Sequence, residues 1–326
     1  MRAHLDTAGE RVAIESGLAF VDELIEEGAG GELRRGEAAD ASMEVVVEAA
    51  SRPFDTRGWQ LLTRGAWRGG DEVVVENACT SGFDLHVAPG AERPRFTYRW
   101  RPPTRDRAAA RVLRSRWHLL ARSVLIQYPV LWWAGTRRRV PFHASGCTVG
   151  DGSVLVSAAG GAGRSTLILR ELENGGRTTG DNLAVGEGTS VWGLVEPLRV
   201  EGGSGRRMPH GRREARMPRR VAAVEPDTLV VLERGVDREP RLEPCDPVTA
   251  ARSLVTSTYM AGELRRYWPF AATLSAGTGV GPPQPPLTDV ASEFASKLRC
   301  LSLVLGTGRR VGLSEMLAAA TTEIEA

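Results

Sequence analysis

The sequence predicts an α/β protein in which a smaller, β-rich (α+β) domain at residues 1–104 precedes an α/β domain at residues 105–326. Short segments of β-forming residues, separated by Gly, Pro and Asn, fill the chain before residue 100. From Val140 onward, strand-like and helix-like segments alternate instead. A chain of 326 residues that is 42% hydrophobic and 25% charged has enough apolar side chains for two domains.

The N-terminal region combines one expected helix with one expected sheet. Residues 10–27 carry apolar side chains at helical spacing, which predicts an amphipathic helix. The proline-rich segment at 101–107, RPPTRDR, is expected to end strand pairing. An antiparallel sheet is predicted from four short segments: Met43–Glu48, Asp71–Glu76, Phe83–Val87 and Arg95–Trp100.

The C-terminal region starts with an expected helix at Ala108–Ile126, which Pro129 is expected to bend or end. The composition of 202–220 and 275–287 predicts loops. The remaining elements are expected strands at 140–149, 153–158, 178–185, 228–233 and 300–305, and expected helices at 165–174, 247–258, 289–299 and 314–325.

Charge and cysteine content point to a soluble cytoplasmic protein. A net charge of +2 gives no global electrostatic argument for binding nucleic acid or a membrane. The four cysteines are scattered without a C-x-x-C pair, which argues against a disulfide framework and against a zinc site. The N-terminus lacks the apolar core of a signal peptide, and the longest apolar stretch, Val124–Gly135, is too short to span a bilayer.

A glycine-rich segment, SAAGGAGRST at Ser157–Thr166, lies between a run of β-forming residues and a helix-like run. The spacing approximates the phosphate-binding pattern G-x-x-x-x-G-K-[ST], in which glycines turn successive backbone N–H groups toward phosphates. Gly160, Gly161 and Gly163 supply those glycines, and Ser165 stands where the loop hydroxyl usually binds Mg²⁺. The alternative interpretation is an ordinary glycine-rich turn between a strand and a helix.

The flanking sequence strengthens the first interpretation. An expected strand with a single histidine, His143, comes before the loop, and an acid, Asp181, ends a polar turn after the helix. This order of features resembles the C-terminal catalytic domain of HPr kinase/phosphorylase and the wider HPr-kinase/PEP-carboxykinase-like group. The resemblance covers residues 140–200 and extends more loosely to about 305, and it is closest in kind to stand-alone kinase-like proteins of bacterial peptide-modification clusters.

The resemblance implies an ATP-dependent phosphotransferase that uses ATP and Mg²⁺ and moves the γ-phosphate to a hydroxyl, most simply a serine, of a peptide, protein or small acceptor. The near-neutral charge predicts no nucleic-acid or membrane partner, a homo-oligomer stays open, and the N-terminal domain would recruit the acceptor or have a structural role. Asp181 would act as general base or metal ligand, and His143 would lie near the transferred phosphate. Gly160, Gly161, Gly163, Arg164, Ser165 and Thr166 would hold the triphosphate, and Ser165, Asp181 and Asn182 would lie at the metal.

Three departures from the family pattern leave a second hypothesis open. Ala158 replaces the first glycine, Asn182 replaces the second acid of an Asp-Asp pair, and Arg164 replaces the lysine. Arginine keeps the positive charge but presents a broad planar group instead of a compact ammonium. Arg164 therefore indicates either a site rebuilt around arginine or a site released from catalysis, in which case the chain would be a nucleotide-binding partner or scaffold protein, a pseudokinase.

The remaining candidate residues carry weaker expectations. His86, His118 and His210 lie far apart in the sequence, without the spacing of metal ligands. The arginine-rich segment 206–220 is expected to be a solvated loop or, alternatively, a clamp for phosphate or an acidic acceptor. Trp132–Trp133 are expected to pack in a core or between domains, the alternative being a base-stacking surface. A serine hydrolase is disfavoured because AGRST does not match G-x-S-x-G.

Overall fold

The computed structural model describes residues 1–90, 92–201, 205–208, 211–308 and 312–324. The strands are β1 (Arg2–Thr7), β2 (Glu10–Ser16), β3 (Arg34–Arg35), β4 (Met43–Glu48), β5 (Gln60–Thr63), β6 (Ala66–Gly69), β7 (Glu72–Val75), β8 (Phe83–Ala88), β9 (Arg95–Trp100), β10 (Val140–Phe142), β11 (Ala144–Val149), β12 (Gly152–Ala158), β13 (Ala184–Glu187), β14 (Ser190–Gly193), β15 (Leu198–Val200), β16 (Arg213–Ala215), β17 (Ala223–Val224), β18 (Thr228–Arg234), β19 (Arg241–Pro244) and β20 (Arg299–Leu305). The helices are α1 (Ala19–Gly28), α2 (Thr104–Val112), α3 (Arg114–Arg122), α4 (Tyr128–Gly135), α5 (Arg164–Glu173), α6 (Pro247–Met260), α7 (Tyr267–Thr278), α8 (Leu287–Lys297) and α9 (Leu313–Ile324).

The elements form a mixed α/β protein that divides into two compact units. The first unit comprises Met1–Arg138 together with two later segments, Arg199–Arg216 and Arg266–Pro285. The second unit comprises the rest: Arg139–Leu198, Met217–Arg265 and Pro286–Ala326. The first unit therefore extends beyond residue 104 and takes in the helices α2, α3 and α4.

The first unit is built on a nine-stranded sheet in the order β3-β1-β2-β4-β9-β8-β7-β6-β5. The expected strands at β4, β7, β8 and β9 are confirmed, but the sheet is mixed, because β4 runs parallel to both β2 and β9. The predicted helix over residues 10–27 is wrong in its first half. Val12 and Ile14 are buried on one face of strand β2, which lies between two neighbouring strands, and within this range only the residues of α1 are helical.

The helical region of the first unit differs from its expected form at both ends. The break at 101–107 ends β9, as expected, but α2 already begins at Thr104. A π-helical turn, Ser123–Gln127, joins α3 to α4, and Pro129 lies in the first turn of α4 instead of ending a helix. Core packing of Trp132 is confirmed, since its ring is buried and its indole N–H donates to Ser275 Oγ at 3.0 Å.

The second unit contains two sheets. A five-stranded sheet has the order β11-β12-β18-β20-β19, in which β12, β18 and β20 are parallel and the two edge strands are antiparallel. A four-stranded antiparallel sheet has the order β10-β13-β14-β17. The predicted strand at 178–185 is shorter than expected, because 178–183 forms a turn before β13. The predicted strand at 140–149 is two strands, β10 and β11, which belong to different sheets and are separated by His143. The other predicted strands and helices of this unit are confirmed within a few residues.

Both expected loops contain regular structure. The segment 202–220 contains the strand β16, which pairs with β15, while residues 202–204 and 209–210, including His210, lie outside the described residues. The start of the segment 275–287 is the last turn of α7.

The expected last helix is confirmed as α9, although position 325 lies outside the described part of the chain. Within the described ranges, none of the helices has the length and apolar character needed to cross a membrane.

Candidate functional site

The glycine-rich loop occupies residues 159–163, at the carboxyl end of β12 and directly before α5. Gly161 and Gly163 have φ values of 85° and 111°, in the left-handed region that favours glycine. A side chain at Gly160 or Gly161 would meet no heavy atom within 4 Å, so the backbone faces open space there. The first N–H groups of α5 precede its first intrahelical bonds and carry the partial positive charge of the helix N-terminus.

Arg164, the first residue of α5, points into the protein and is only 6% exposed. Its Nε donates to the main-chain oxygen of Asp181 at 3.0 Å, and its Nη1 donates to the main-chain oxygen of His143 at 2.7 Å. Its Nη2 lies 2.9 Å from His143 Nε2 and 3.3 Å from Asn182 Oδ1. The guanidinium therefore joins the start of α5 to two other segments of the chain.

His143 lies at the corner where the chain passes from β10 in one sheet to β11 in the other. Its backbone N–H donates to Thr258 Oγ1 at 3.0 Å, which fixes this corner against α6. A guanidinium can only donate hydrogen bonds, so His143 Nε2 must accept from Arg164. In this arrangement the imidazole is neutral and carries its proton on Nδ1.

The segment 178–183 runs beside the same corner, because Phe142 of β10 pairs with Ala184 of β13. Thr179 N–H donates to the oxygen of Gly146 at 2.8 Å, which keeps this segment against β11. Gly193 is required beneath it, since a Cβ there would lie 1.8 Å from the oxygen of Thr179. These contacts bring Asp181 and Asn182 next to His143 and Arg164.

Glu196 holds the other side of this turn. Its carboxylate is buried and accepts from the backbone N–H of Asn182 at 2.9 Å and of Leu183 at 3.3 Å. The Asn182 amide also donates to Glu196 Oε2 at 3.4 Å. The turn is thus bonded through its N–H groups to Glu196 and through its carbonyl groups to Arg164.

The Asp181 side chain is the unusual group of the site. It is 0% exposed, yet neither carboxylate oxygen has a hydrogen-bond partner among the residues that the structure describes. Only its main-chain oxygen is engaged, by Arg164 Nε and by Ser145 Oγ, which lies 2.7 Å away. Buried polar groups are normally hydrogen-bonded, and an exception at a cleft or loop is a common feature of sites that receive an ion or a ligand.

The structure thus brings together four of the residues that the sequence singled out: His143, Arg164, Asp181 and Asn182. Ser165 and Thr166 lie on the first turn of α5, where Ser165 is partly exposed and Thr166 is exposed. Sequence reasoning missed Ser145, Thr258 and Glu196. Of these, only Glu196 offered a signal, as a lone acid in an otherwise apolar run, VWGLVEPL.

The arginine-rich segment is partly engaged within the first unit. Arg206 forms a bidentate ion pair with Glu27, which also accepts from Arg122 Nη2 at 2.9 Å. Burial alone would raise the pKa of Glu27, but its hydrogen bonds to Arg206 and Arg122 bring that pKa below its usual value. Burial, assisted by the charge of Arg206, lowers the pKa of the adjacent His118 to about 4. Arg206 is therefore committed to this cluster, and a phosphate clamp would have to use other arginines of the segment.

No group of three or more His, Cys, Asp or Glu residues suited to a metal ion occurs in the described ranges. The chain matches no protein-family model, and no curated protein matches it.

Proposed function

We propose that this chain is an HPr-kinase-like phosphotransferase that binds ATP with Mg²⁺ at Gly160–Thr166 and phosphorylates a hydroxyl group. The observation that carries the proposal is the Asp181 carboxylate, which is fully buried and has no hydrogen-bond partner among the described residues. Burying a polar group without a hydrogen bond is costly, so its retention in a turn whose backbone is fixed on both sides calls for an explanation. A function that requires a carboxylate without a hydrogen-bond partner would explain why Asp181 is kept in this arrangement.

The residues fit a nucleotide phosphate and a magnesium ion. The space beside the Cα atoms of Gly160 and Gly161 is open, and the N-terminus of α5 favours an anion. Mg²⁺ usually keeps several waters and binds phosphate oxygens, so the hydroxyl of Ser165 would be its protein ligand and Asp181 would serve as the base. Asn182 is a poorer ligand than expected, because its amide already contacts Glu196 and Arg164. When bound, ATP·Mg²⁺ would supply the phosphoryl group and neutralise its charge.

The protein's own contribution would be positioning and proton transfer. The loop backbone and the helix N-terminus would hold the phosphates in line with the acceptor. The Asp181 carboxylate would accept the proton of the acceptor hydroxyl as its oxygen bonds to phosphorus and the bond to the leaving phosphate oxygen breaks. His143, neutral and bonded to Arg164, would support the site instead of acting as a cation at the phosphate. The acceptor is a peptide, protein or small hydroxyl compound, which the first unit would recruit.

The direct test is transfer of phosphate from ATP, labelled with ³³P at the γ position, to a library of serine-containing peptides, with wild-type protein and Asp181→Asn. We expect transfer by the wild type and none by the variant, with ATP affinity within about threefold between the two. Asp84→Asn is the control, because Asp84 is another buried carboxylate but is already paired with Arg101. Transfer that persists in Asp181→Asn would rule out Asp181 as the base.

One observation favours a second function, a nucleotide-binding scaffold without transferase activity. The guanidinium that replaces the usual lysine is directed at main-chain oxygens and at His143. A cation held in that way is not available to follow the γ-phosphate through transfer. ATP binding by the wild type without transfer to any acceptor, and without ATP hydrolysis, would support this pseudokinase over the phosphotransferase.

A further inference from the structure

We infer that Arg164 is a positioning residue, which orients the Asp181 turn and His143 from beneath the loop instead of binding the triphosphate. The inference concerns the same site and rests on the proposed function for its catalytic consequence. Its structural part, the fixed arrangement of Arg164, His143 and Asp181, can be tested without any activity.

The guanidinium of Arg164 is directed away from the loop. Arg164 is 6% exposed, and its three nitrogens all contact atoms of the second unit's interior. Two of those contacts, at 3.0 and 2.7 Å, go to the buried main-chain oxygens of Asp181 and His143, and buried acceptors of this kind are normally hydrogen-bonded. Hydrogen bonds of this kind, from a charged donor, are among the strongest in proteins.

The acceptors of these bonds lie on two different segments. His143 lies between β10 and β11, and Asp181 lies between α5 and β13, the strand that pairs with β10. One planar group bonded to both carbonyls fixes the separation of the two segments. Glu196 fixes the opposite side of the turn through the N–H groups of Asn182 and Leu183. With its backbone bonded on both sides, the turn holds the main chain of Asp181 in one position, from which the side chain extends.

The geometry of these contacts suits arginine and not lysine. The contacts need donors that diverge in one plane toward His143, Asp181 and Asn182. A guanidinium has five N–H donors in such a fork, whereas a lysine ammonium places its three donors on one atom. Arginine at this position is therefore a requirement of the arrangement and not a neutral exchange for the lysine of the family pattern.

The test compares Arg164→Lys with Arg170→Lys, the same substitution six residues later on the same helix, where the side chain is partly exposed. Proton–nitrogen correlation spectra of protein labelled with ¹⁵N-histidine report the tautomer of the five histidines, and His143→Gln identifies the His143 signal. In the wild type we expect His143 to carry its proton on Nδ1 and to accept at Nε2. This measurement needs no variant of Arg164 to fold, and an Nε2–H or a doubly protonated ring at about pH 7 would overturn the inference.

In Arg164→Lys we expect the His143 Nε2 signal and the amide signals of Asp181–Leu183 to shift, ATP affinity to stay within about threefold, and the turnover number for transfer to fall at least about 100-fold. Arg170→Lys should leave all of these unchanged. If Arg164→Lys leaves those signals in place, or weakens ATP binding about tenfold or more, Arg164 contacts phosphate and the inference is wrong. If the wild type binds no ATP at all, the proposed function fails, and the histidine and amide signals alone then decide the role of Arg164.

Discussion

Arg164 Nε donates to the main-chain oxygen of Asp181 over 3.0 Å, so the residue that follows the glycine loop is bonded to the turn that carries the candidate base. The contact links two features that lie 17 residues apart in the chain. A cation in this position supports the backbone of Asp181 while leaving its carboxylate oxygens without a hydrogen-bond partner among the described residues.

Removal of this guanidinium should destabilise the second unit. Arg164→Ala would remove the guanidinium donor from the main-chain oxygens of His143 and Asp181, of which the second keeps Ser145 Oγ, and a buried acceptor left without a donor costs about 1–3 kcal/mol. We expect urea denaturation to give a free energy of unfolding lower by at least about 2 kcal/mol. Arg170→Ala, on the same helix, should change it by less than about 0.5 kcal/mol. Equal effects of the two substitutions would contradict the positioning role of Arg164.

Restoring the second acid of the family pattern, by Asn182→Asp, should lower the stability of the protein. The Asn182 amide donates to Glu196 Oε2 and accepts from Arg164 Nη2, whereas an ionised carboxylate at this position could only accept. Asn182→Asp would place a second carboxylate against that of Glu196. We expect a thermal unfolding midpoint several degrees lower at about pH 7, with a smaller difference at about pH 5, where one carboxyl group can take up a proton. A stability equal to that of the wild type at neutral pH would show that Asn182 is a mere replacement of the acid.

The sequence was informative about the loop and less so about its surroundings. The strand, glycine loop and helix were predictable because β-forming residues, glycines and an apolar helical stripe follow one another locally in 153–174. The inward direction of Arg164 was not, since it depends on carbonyl groups of His143 and Asp181 that tertiary pairing brings to it. The false helix over residues 10–16 has the same origin: neighbouring strands on both sides override a locally ambiguous pattern.

The glycine loop allows a test that separates ligand binding from stability. A Cβ at Gly160 would meet no heavy atom within 4 Å, and φ there is not positive, so Gly160→Ala should leave the free energy of unfolding within about 0.5 kcal/mol of the wild type. A methyl group there would intrude on bound phosphate, and we expect ATP affinity to fall at least about tenfold. Gly262→Ala is the matched control, because Gly262 has equally open space and no positive φ outside this loop. An unchanged affinity in Gly160→Ala would place the phosphates elsewhere.

The Glu27–His118 cluster predicts how the stability of the first unit depends on pH. The pKa of His118 is about 4 in the folded chain against 6.5 for an ordinary histidine, so the unfolded state binds the proton first as the pH falls. The pKa of Glu27 is also lowered, and its contribution is present above its ordinary value of 4.5 and lost below it. We expect the thermal unfolding midpoint to fall steadily from pH 6.5 to about pH 4. In His118→Gln the midpoint should change less over the same pH range. If the unfolding midpoint of His118→Gln depends on pH as steeply as that of the wild type, other groups are responsible for the pH dependence.

The central claim is that residues 159–166 form a phosphate-binding loop, and isothermal titration of the wild-type protein with ATP in the presence of Mg²⁺ tests it most directly. We expect one site per chain with a dissociation constant below about 100 μM, equivalent to more than about 5.5 kcal/mol of binding free energy. Absence of heat up to millimolar ATP, together with an unfolding midpoint that ATP and Mg²⁺ do not raise, would contradict it. The glycine loop would then be a turn between β12 and α5 and nothing more.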